Sequence, residues 1–241
     1  MNKAIFTERD RRFLLQQDLK KPAQWKKIEE LYAQGLPLAY ILGKEEFYGY
    51  EFKVNPSVLI PRPETELLVE KALEIIEINK LDTVLDLCCG AGNIAIAIKK
   101  EIRRDIQVFA SDISSQALRL ARINAEKHKV NISFVQSDLF ASLKGRFFDI
   151  IVSNPPYVEE ENIRGSLKYE PRLALSGGPD GLTIIKKILD QAHLCLKDEG
   201  FLIMEIGYKH KAAIVTDGYK LVEWIKDYSG HFRGVVLKKN G

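Results

Sequence analysis

The sequence predicts an α/β protein: a doubly wound, mostly parallel seven-stranded sheet with an antiparallel C-terminal hairpin, preceded by a short helical arm and a β-hairpin linker. Three observations predict it. Five short apolar runs recur, TVLDLCC (83–89), QVFASD (107–112), ISFVQSD (132–138), DIIVSN (149–154) and FLIMEIG (201–207), mostly ending in a small or acidic residue. Helical patterns sit between most of them, at 92–104, 114–128 and 180–197, the alternation of a parallel sheet covered on both faces. The last two runs, KLVEWI and GVVLKK, leave no room for a helix around Ser229-Gly230, so they pair as a hairpin at the sheet edge.

The elements follow in order. TERDRRFLLQQDL (7–19) and AQWKKIEELYAQG (23–35) carry Phe13, Leu14, Trp25, Ile28, Leu31 and Tyr32 at helical spacing, divided by Pro22 and ended by Gly35. They form the arm, residues 1–43. Aromatic and β-branched residues around Gly49 predict a hairpin, and Asn55-Pro56, Pro61 and Pro63 predict an ordered loop leading away, which makes residues 44–63 the linker. ETELLVEKALEIIEINK then opens the main domain, 64–241, as an amphipathic helix with Leu67, Leu68, Ala72, Ile75 and Ile76 on one side.

Composition excludes several classes. With 46% hydrophobic and 29% charged residues in 241, the chain is neither disordered nor fibrous. The 36 basic residues are offset by 33 acidic ones, a balance that gives no electrostatic reason to expect nucleic acid. Cys88, Cys89 and Cys195 form no disulfide framework, and His128, His193, His210 and His231 show no ligand spacing with them, so no metal is expected. The N-terminus lacks a signal-peptide core and no apolar run reaches membrane-spanning length, so a soluble, cytoplasmic protein is expected.

Chemistry concentrates where strands end. VLDLCCGAGNIAIAIKK (84–100) turns from a strand through Gly90-Ala91-Gly92 into a helix, and such a turn brings backbone N–H groups close to a ligand. Asp112, twenty residues after Gly92, can accept both hydroxyls of a ribose. Gly90, Gly92 and Ala95 also satisfy a dinucleotide pattern, but Asp86 beside a pyrophosphate would be unfavourable, whereas it suits an ammonium group. A ligand with both a ribose and an amino acid is S-adenosylmethionine; an ordinary strand-to-helix turn is the plain alternative. Asp86, Asp112, Asp138 and Asn154 are all expected at the carboxyl edge of the sheet, converging on one crevice.

In SNPPYV, Asn154 offers an amide and the prolines fix a backbone that leaves the Pro155 carbonyl free. Two acceptors so held bind both hydrogens of a planar –NH2, and Tyr157 covers its face. Such a site suits methyl transfer to a poorly nucleophilic, conjugated nitrogen. Adenine and a side-chain amide remain equally compatible with this tetrad.

DLCCGAG, Asp112 and NPPY together resemble the class I S-adenosylmethionine-dependent amino-group methyltransferases, a Rossmann-like fold. The blocks GLPLAYILGKEEFYGYEFKVNPSVLIPRPETELLVE, YEPRLALSGGPDGL and KDYSGHFRGVVL narrow the likeness: they are similar, in collinear order, to the peptide chain release factor glutamine methyltransferases (the HemK/PrmC family). The ribosomal protein L3 glutamine methyltransferase and adenine-N6 enzymes acting on RNA or DNA are the alternatives. A non-catalytic cofactor-binding module is a third, and it would have no use for Asn154 and Tyr157.

The resemblance implies glutamine-N5 methylation in the Gly-Gly-Gln motif of class one release factors. S-Adenosyl-L-methionine is the implied cofactor, with S-adenosyl-L-homocysteine left as product. Cys88, Cys89, Gly90, Ala91 and Gly92 would line its methionine part, Asp112 the ribose and Leu139, after Asp138, the adenine. Asn154, Pro155, Pro156 and Tyr157 would hold the substrate amide, Asp86, Asp138 and Asn154 would also count among the cofactor-binding residues, and Arg62, with Glu64 and Thr65, would close near the cofactor. A monomer with no direct nucleic-acid or membrane partner is expected. The family usually begins with a longer helical domain than the stretch before PLAYILG, which leaves the docking of the substrate by the arm open and the expected chemistry unchanged.

Overall fold

The computed structural model describes residues 6–15, 22–214 and 217–241. The arm contains α1 (Glu8–Leu15), α2 (Pro22–Ala33) and α3 (Leu38–Leu42). Residues 16–19, expected to extend the first helix, lie outside the described residues. Phe6, Leu14, Ile28 and Leu38 make a small core of the arm's own. The hairpin follows as β1 (Lys44–Phe47) and β2 (Tyr50–Lys53), then α4 (Pro63–Asn79) with a proline in its first turn. Glu66 in that turn accepts the Tyr48 N–H at 2.8 Å, so it holds the hairpin turn besides complementing the helix start.

The main domain runs β3 (Thr83–Leu87), α5 (Asn93–Glu101), β4 (Gln107–Asp112), α6 (Ser115–His128), β5 (Ser133–Gln136), β6 (Phe148–Ser153), α7 (Arg172–Leu175), α8 (Thr183–Ala192), β7 (Leu196–Glu205), β8 (Tyr219–Lys226) and β9 (Phe232–Lys239). The seven strands lie in the order β5-β4-β3-β6-β7-β9-β8. The first five are parallel, and β9 pairs antiparallel with both β7 and β8. The terminal strand therefore sits inside its hairpin partner. The reason is apolar continuity: Val235, Val236 and Leu237 are fully buried, whereas Leu221 and Val222 of β8 are exposed at the edge.

Strand periodicity divides the core into two layers. Val84, Ile150, Val152 and Ile203 pack with α4 and α5 residues, while Leu85, Leu87, Ile151, Leu202 and Met204 pack under α8. Strand order reverses between β3 and β6, which opens a crevice at their carboxyl ends. Two expected boundaries differ. The last covering helix ends at Ala192 and not 197, because the chain turns into an early start of β7 at Leu196; α5 ends at Glu101, ahead of Arg103-Arg104.

One buried amide fastens the linker to this frame. Asn124 of α6, with no exposed surface, accepts the Lys53 N–H at 2.8 Å and donates to the carbonyls of Lys53 (3.1 Å) and Ala91 (3.0 Å). Asn124→Ala strands these partners, so a loss of about 2 kcal/mol is expected in chemical denaturation. Wild-type stability in that variant would deny the hairpin this anchor.

Candidate active site

A cavity of about 360 Å³ lies over the carboxyl ends of β3, β4 and β6. Its floor is the loop after β3, where Cys88, Gly90 and Gly92 all take positive φ. A Cβ on Gly92 would lie 3.1 Å from Ala121 Cβ, so this glycine allows α5 to approach α6. The loop is tied down at each turn: Cys89 N–H donates to the Ser111 carbonyl at 2.9 Å and Gly90 N–H to Asp112 Oδ2 at 2.9 Å. Asp112 Oδ1 accepts the Ser114 N–H at 2.8 Å. Both carboxylate oxygens are thus aimed by the backbone, with lone pairs left for a ligand in the cavity they line. Burial pushes the Asp112 carboxyl up, and the N–H bonds of Ser114 and Gly90 oppose that.

The cavity gathers Arg62, Thr65, Cys88, Cys89, Gly90, Ala91, Asp112, Asp138, Leu139, Asn154 and Pro156. Desolvation, with Asp112 adding to it, pushes the Cys88 thiol well up, and burial does the same to Cys89. Both are neutral lining groups rather than nucleophiles. Asp138 lies two residues beyond the end of β5, exposed, with Leu139 beside it at φ 45°.

Four expected residues do not line this cavity, Tyr157 among them. Gly92 serves helix packing, and Pro155 is buried and is not among the lining residues. Asp86 is not at a strand end but within β3, paired across to Ala110 and Val152. Alternation with Val84 turns its side chain under α5, where Oδ2 accepts the Ala95 N–H at 3.0 Å. Oδ1 is buried with no partner among the described residues, as is Ser111 Oγ on the cavity wall.

Burial pushes the Asp86 carboxyl from its ordinary 3.8 up to about 7, the Ala95 N–H opposing and Asp112 adding to the rise. A raised folded-state pKa means stability that is complete below 3.8 and is lost as pH rises through about 7. Denaturation of the ligand-free protein at a series of pH values is expected to show this loss, and Asp86→Asn to remove that part of the slope. Identical slopes in the two proteins would contradict the assignment.

Asn154 stands immediately after β6, half-buried at the cavity wall. Its Nδ2 donates to Thr65 Oγ1 at 3.0 Å; the Thr65 hydroxyl donates to Glu205 Oε2 at 2.7 Å; Tyr157 Oη donates to Glu205 Oε1 at 2.8 Å. Thr65 and Glu205 are each 1% exposed. Burial pushes Glu205 up, against the hydroxyls of Thr65 and Tyr157. Glu205 escaped the sequence reading, and its signal was a single carboxylate in the apolar run FLIMEIG. Tyr157 lines a second cavity with Arg9, Arg62, Pro63, Glu64, Glu205 and Arg233. The two cavities meet at Arg62, and α1 reaches the second through Arg9, which pairs with Glu45 at 3.1 Å.

The remaining motif blocks brace this seam. Buried Glu170 of YEPRL accepts from the Arg62 guanidinium and, at 3.1 Å, from the Ile60 N–H, fixing the LIPRPE loop. Ser176 to Gly181 backs the tetrad: Gly177 N–H donates to the Val158 carbonyl at 2.9 Å, and a Cβ on Gly181 would fall 2.4 Å from the Tyr157 carbonyl. Only glycine permits that approach. No group of three or more His, Cys, Asp or Glu is placed to hold a metal, and no helix is long and apolar enough to cross a membrane, among the described residues.

Residues 63–170 match the family model described as the methyltransferase small domain. The release factor glutamine methyltransferase of Bacillus subtilis is 41% identical over 235 residues, covering 90% of this chain and 81% of that protein. The Streptococcus pneumoniae protein of the same name is 41% identical over 239 residues, covering 93% and 84%. Among solved structures, a methyltransferase from Pyrococcus furiosus superposes with a TM-score of 0.58 at 19% identity, covering 81% of this chain and 91% of that one.

Proposed function

The chain belongs to the release factor glutamine methyltransferases, and from that premise we propose how its own residues carry out the reaction. The reaction is transfer of a methyl group from S-adenosylmethionine to a glutamine of a release factor. When bound, the cofactor supplies an electrophilic methyl group on a sulfonium sulfur. The residues present fit it. Asp112, on the cavity wall, would accept from the ribose hydroxyls and Leu139 would pack on the adenine, while the partnerless oxygens of Ser111 and Asp86 stand on and behind the wall beside the loop that would hold the methionine part.

One observation carries the catalytic reading: Asn154 spends its Nδ2 on Thr65, which leaves Oδ1 as an acceptor on the wall of the first cavity. The amide nitrogen of glutamine is conjugated and a poor nucleophile, so the chain's contribution is alignment. Oδ1 of Asn154 takes one N–H group of the substrate amide, and the other falls to the carbonyl of Pro155, which accepts no hydrogen bond among the described residues although the residue does not itself line the cavity. They would fix the orientation of the substrate amide and draw charge onto its nitrogen. Tyr157, locked by its bond to Glu205, closes the face of the amide against water.

The reaction is read without a side-chain general base: the buried Glu205 carboxylate is engaged by the hydroxyls of Thr65 and Tyr157. Methylation would make the nitrogen strongly acidic, and its proton would then pass to bulk water. The glutamine is that of the Gly-Gly-Gln motif, methylated at N5, and it enters through the second cavity. The arm docks the release factor beside Arg9, and the protein works as a cytoplasmic monomer without contacting nucleic acid. Radiolabelled methyl transfer tests the substrate class: label enters purified release factor and not RNA or DNA, and the reverse distribution would overturn the reading.

A further inference from the structure

The chain of bonds Asn154–Thr65–Glu205 has a direction. An Asn side chain ends in an NH2 and a carbonyl of nearly equal size, and packing alone scarcely distinguishes them. Orientation must therefore come from hydrogen bonds. A Thr hydroxyl has one proton and two lone pairs, so it donates once. Thr65 gives its proton to Glu205 Oε2 at 2.7 Å, and an ionised carboxylate can only accept. What Thr65 offers Asn154 is then a lone pair, which must be met by the NH2 end, as the 3.0 Å bond from Nδ2 shows. The other carboxylate oxygen takes the Tyr157 proton at 2.8 Å, so one buried group orients two members of the tetrad.

We infer that Glu205 is a positioning residue which, acting through Thr65, fixes the Asn154 amide with its carbonyl toward the substrate and its NH2 away from it. The inference rests on the functional reading above, because only an N–H-bearing substrate needs an acceptor there. The reversed amide would aim two N–H groups at the NH2 of the glutamine, and the methyl-acceptor nitrogen would have nothing to hold it. Strand periodicity supports the assignment independently: Glu205 shares the face of Ile203, toward α4, and the first turn of α4 carries Thr65. A carboxylate buried there for stability alone would be a poor choice, given what its desolvation costs.

The test compares Thr65→Val, Thr65→Ser and Glu205→Gln in steady-state methylation of a release factor, with cofactor dissociation constants measured on the same proteins. Thr65→Val keeps the shape and deletes the relay. Its kcat is expected to fall about 10- to 30-fold, with KM for the release factor and cofactor Kd moving less than about threefold. Thr65→Ser restores the hydroxyl and recovers most of the lost kcat. Glu205→Gln loses a similar factor, and the double variant Thr65→Val/Glu205→Gln loses no more than the worse single, as members of one relay should.

A fully active Thr65→Val, a Thr65→Ser as impaired as the valine variant, or multiplying losses in the double variant would each overturn the positioning role. Should Thr65→Val fail to fold, Glu205→Gln alone is read by the same kcat criterion. Wild-type protein inactive on every release factor would instead remove the functional reading beneath.

Discussion

Asn154→Ala is expected to lower methyl transfer to a release factor by about a thousandfold, or ~4 kcal/mol of transition-state stabilisation. The alanine removes one of two acceptors that hold the substrate nitrogen in line, and misplaced substrate amide has no other route to attack. Cofactor affinity should change little, because the bonds that aim Asp112 and fix the glycine loop do not involve Asn154. Asn154→Asp should be no better. A carboxylate has no proton for Thr65, whose own proton already goes to Glu205, so two carboxylates would flank one hydroxyl. Single-turnover measurements with saturating cofactor read the chemical step directly, and a loss below tenfold in Asn154→Ala would contradict the clamp.

Asp112→Asn is expected to weaken cofactor binding by about 100- to 1000-fold, ~3–4 kcal/mol, since two charge-assisted bonds to ribose hydroxyls are lost. The loss reaches the loop as well. Asp112 now accepts the N–H groups of Gly90 and Ser114, and an amide in its place brings an NH2 against one of them. Calorimetry on S-adenosylhomocysteine measures this without turnover. Asp112→Glu would not rescue it, because a longer side chain cannot keep both 2.8–2.9 Å backbone contacts and the same reach into the cavity.

Much of this site was readable because it lies at strand ends, and strand ends are marked by local sequence. DLCCGAG, Asp112 and NPPY each sit where an apolar run stops, and the structure brings the ends of β3, β4 and β6 to one cavity. Asp86 misled for a local reason: the strand continues one residue past it, and period-two alternation buries it with Val84 instead of presenting it. That alternation was available in VLDL and was outweighed by the chemistry of the ligand.

What sequence reading could not reach are the contacts made by residues far apart in the chain. Glu205 meets Thr65 across 140 positions, Glu170 meets Arg62 across 108, and Asn124 meets Lys53 across 71. None of these pairs has a local signature; each needs the topology first. The same holds for the last strand, whose insertion between β7 and β8 follows from comparing the apolar runs of two strands against a sheet not yet built. The motif blocks YEPRL and SGGPDG carried a family likeness without a physical role. Their role is bracing, Glu170 for the LIPRPE loop and Gly181 for Tyr157.

The central claim is that Asn154 presents an acceptor to a glutamine amide. Tandem mass spectrometry of a release factor incubated with the protein and S-adenosylmethionine tests it most directly. One methyl group on the glutamine of the Gly-Gly-Gln peptide, present with wild-type protein and absent with Asn154→Ala, is the predicted result. A release factor left unmodified by wild-type protein, or a methyl group appearing undiminished with Asn154→Ala, would contradict it.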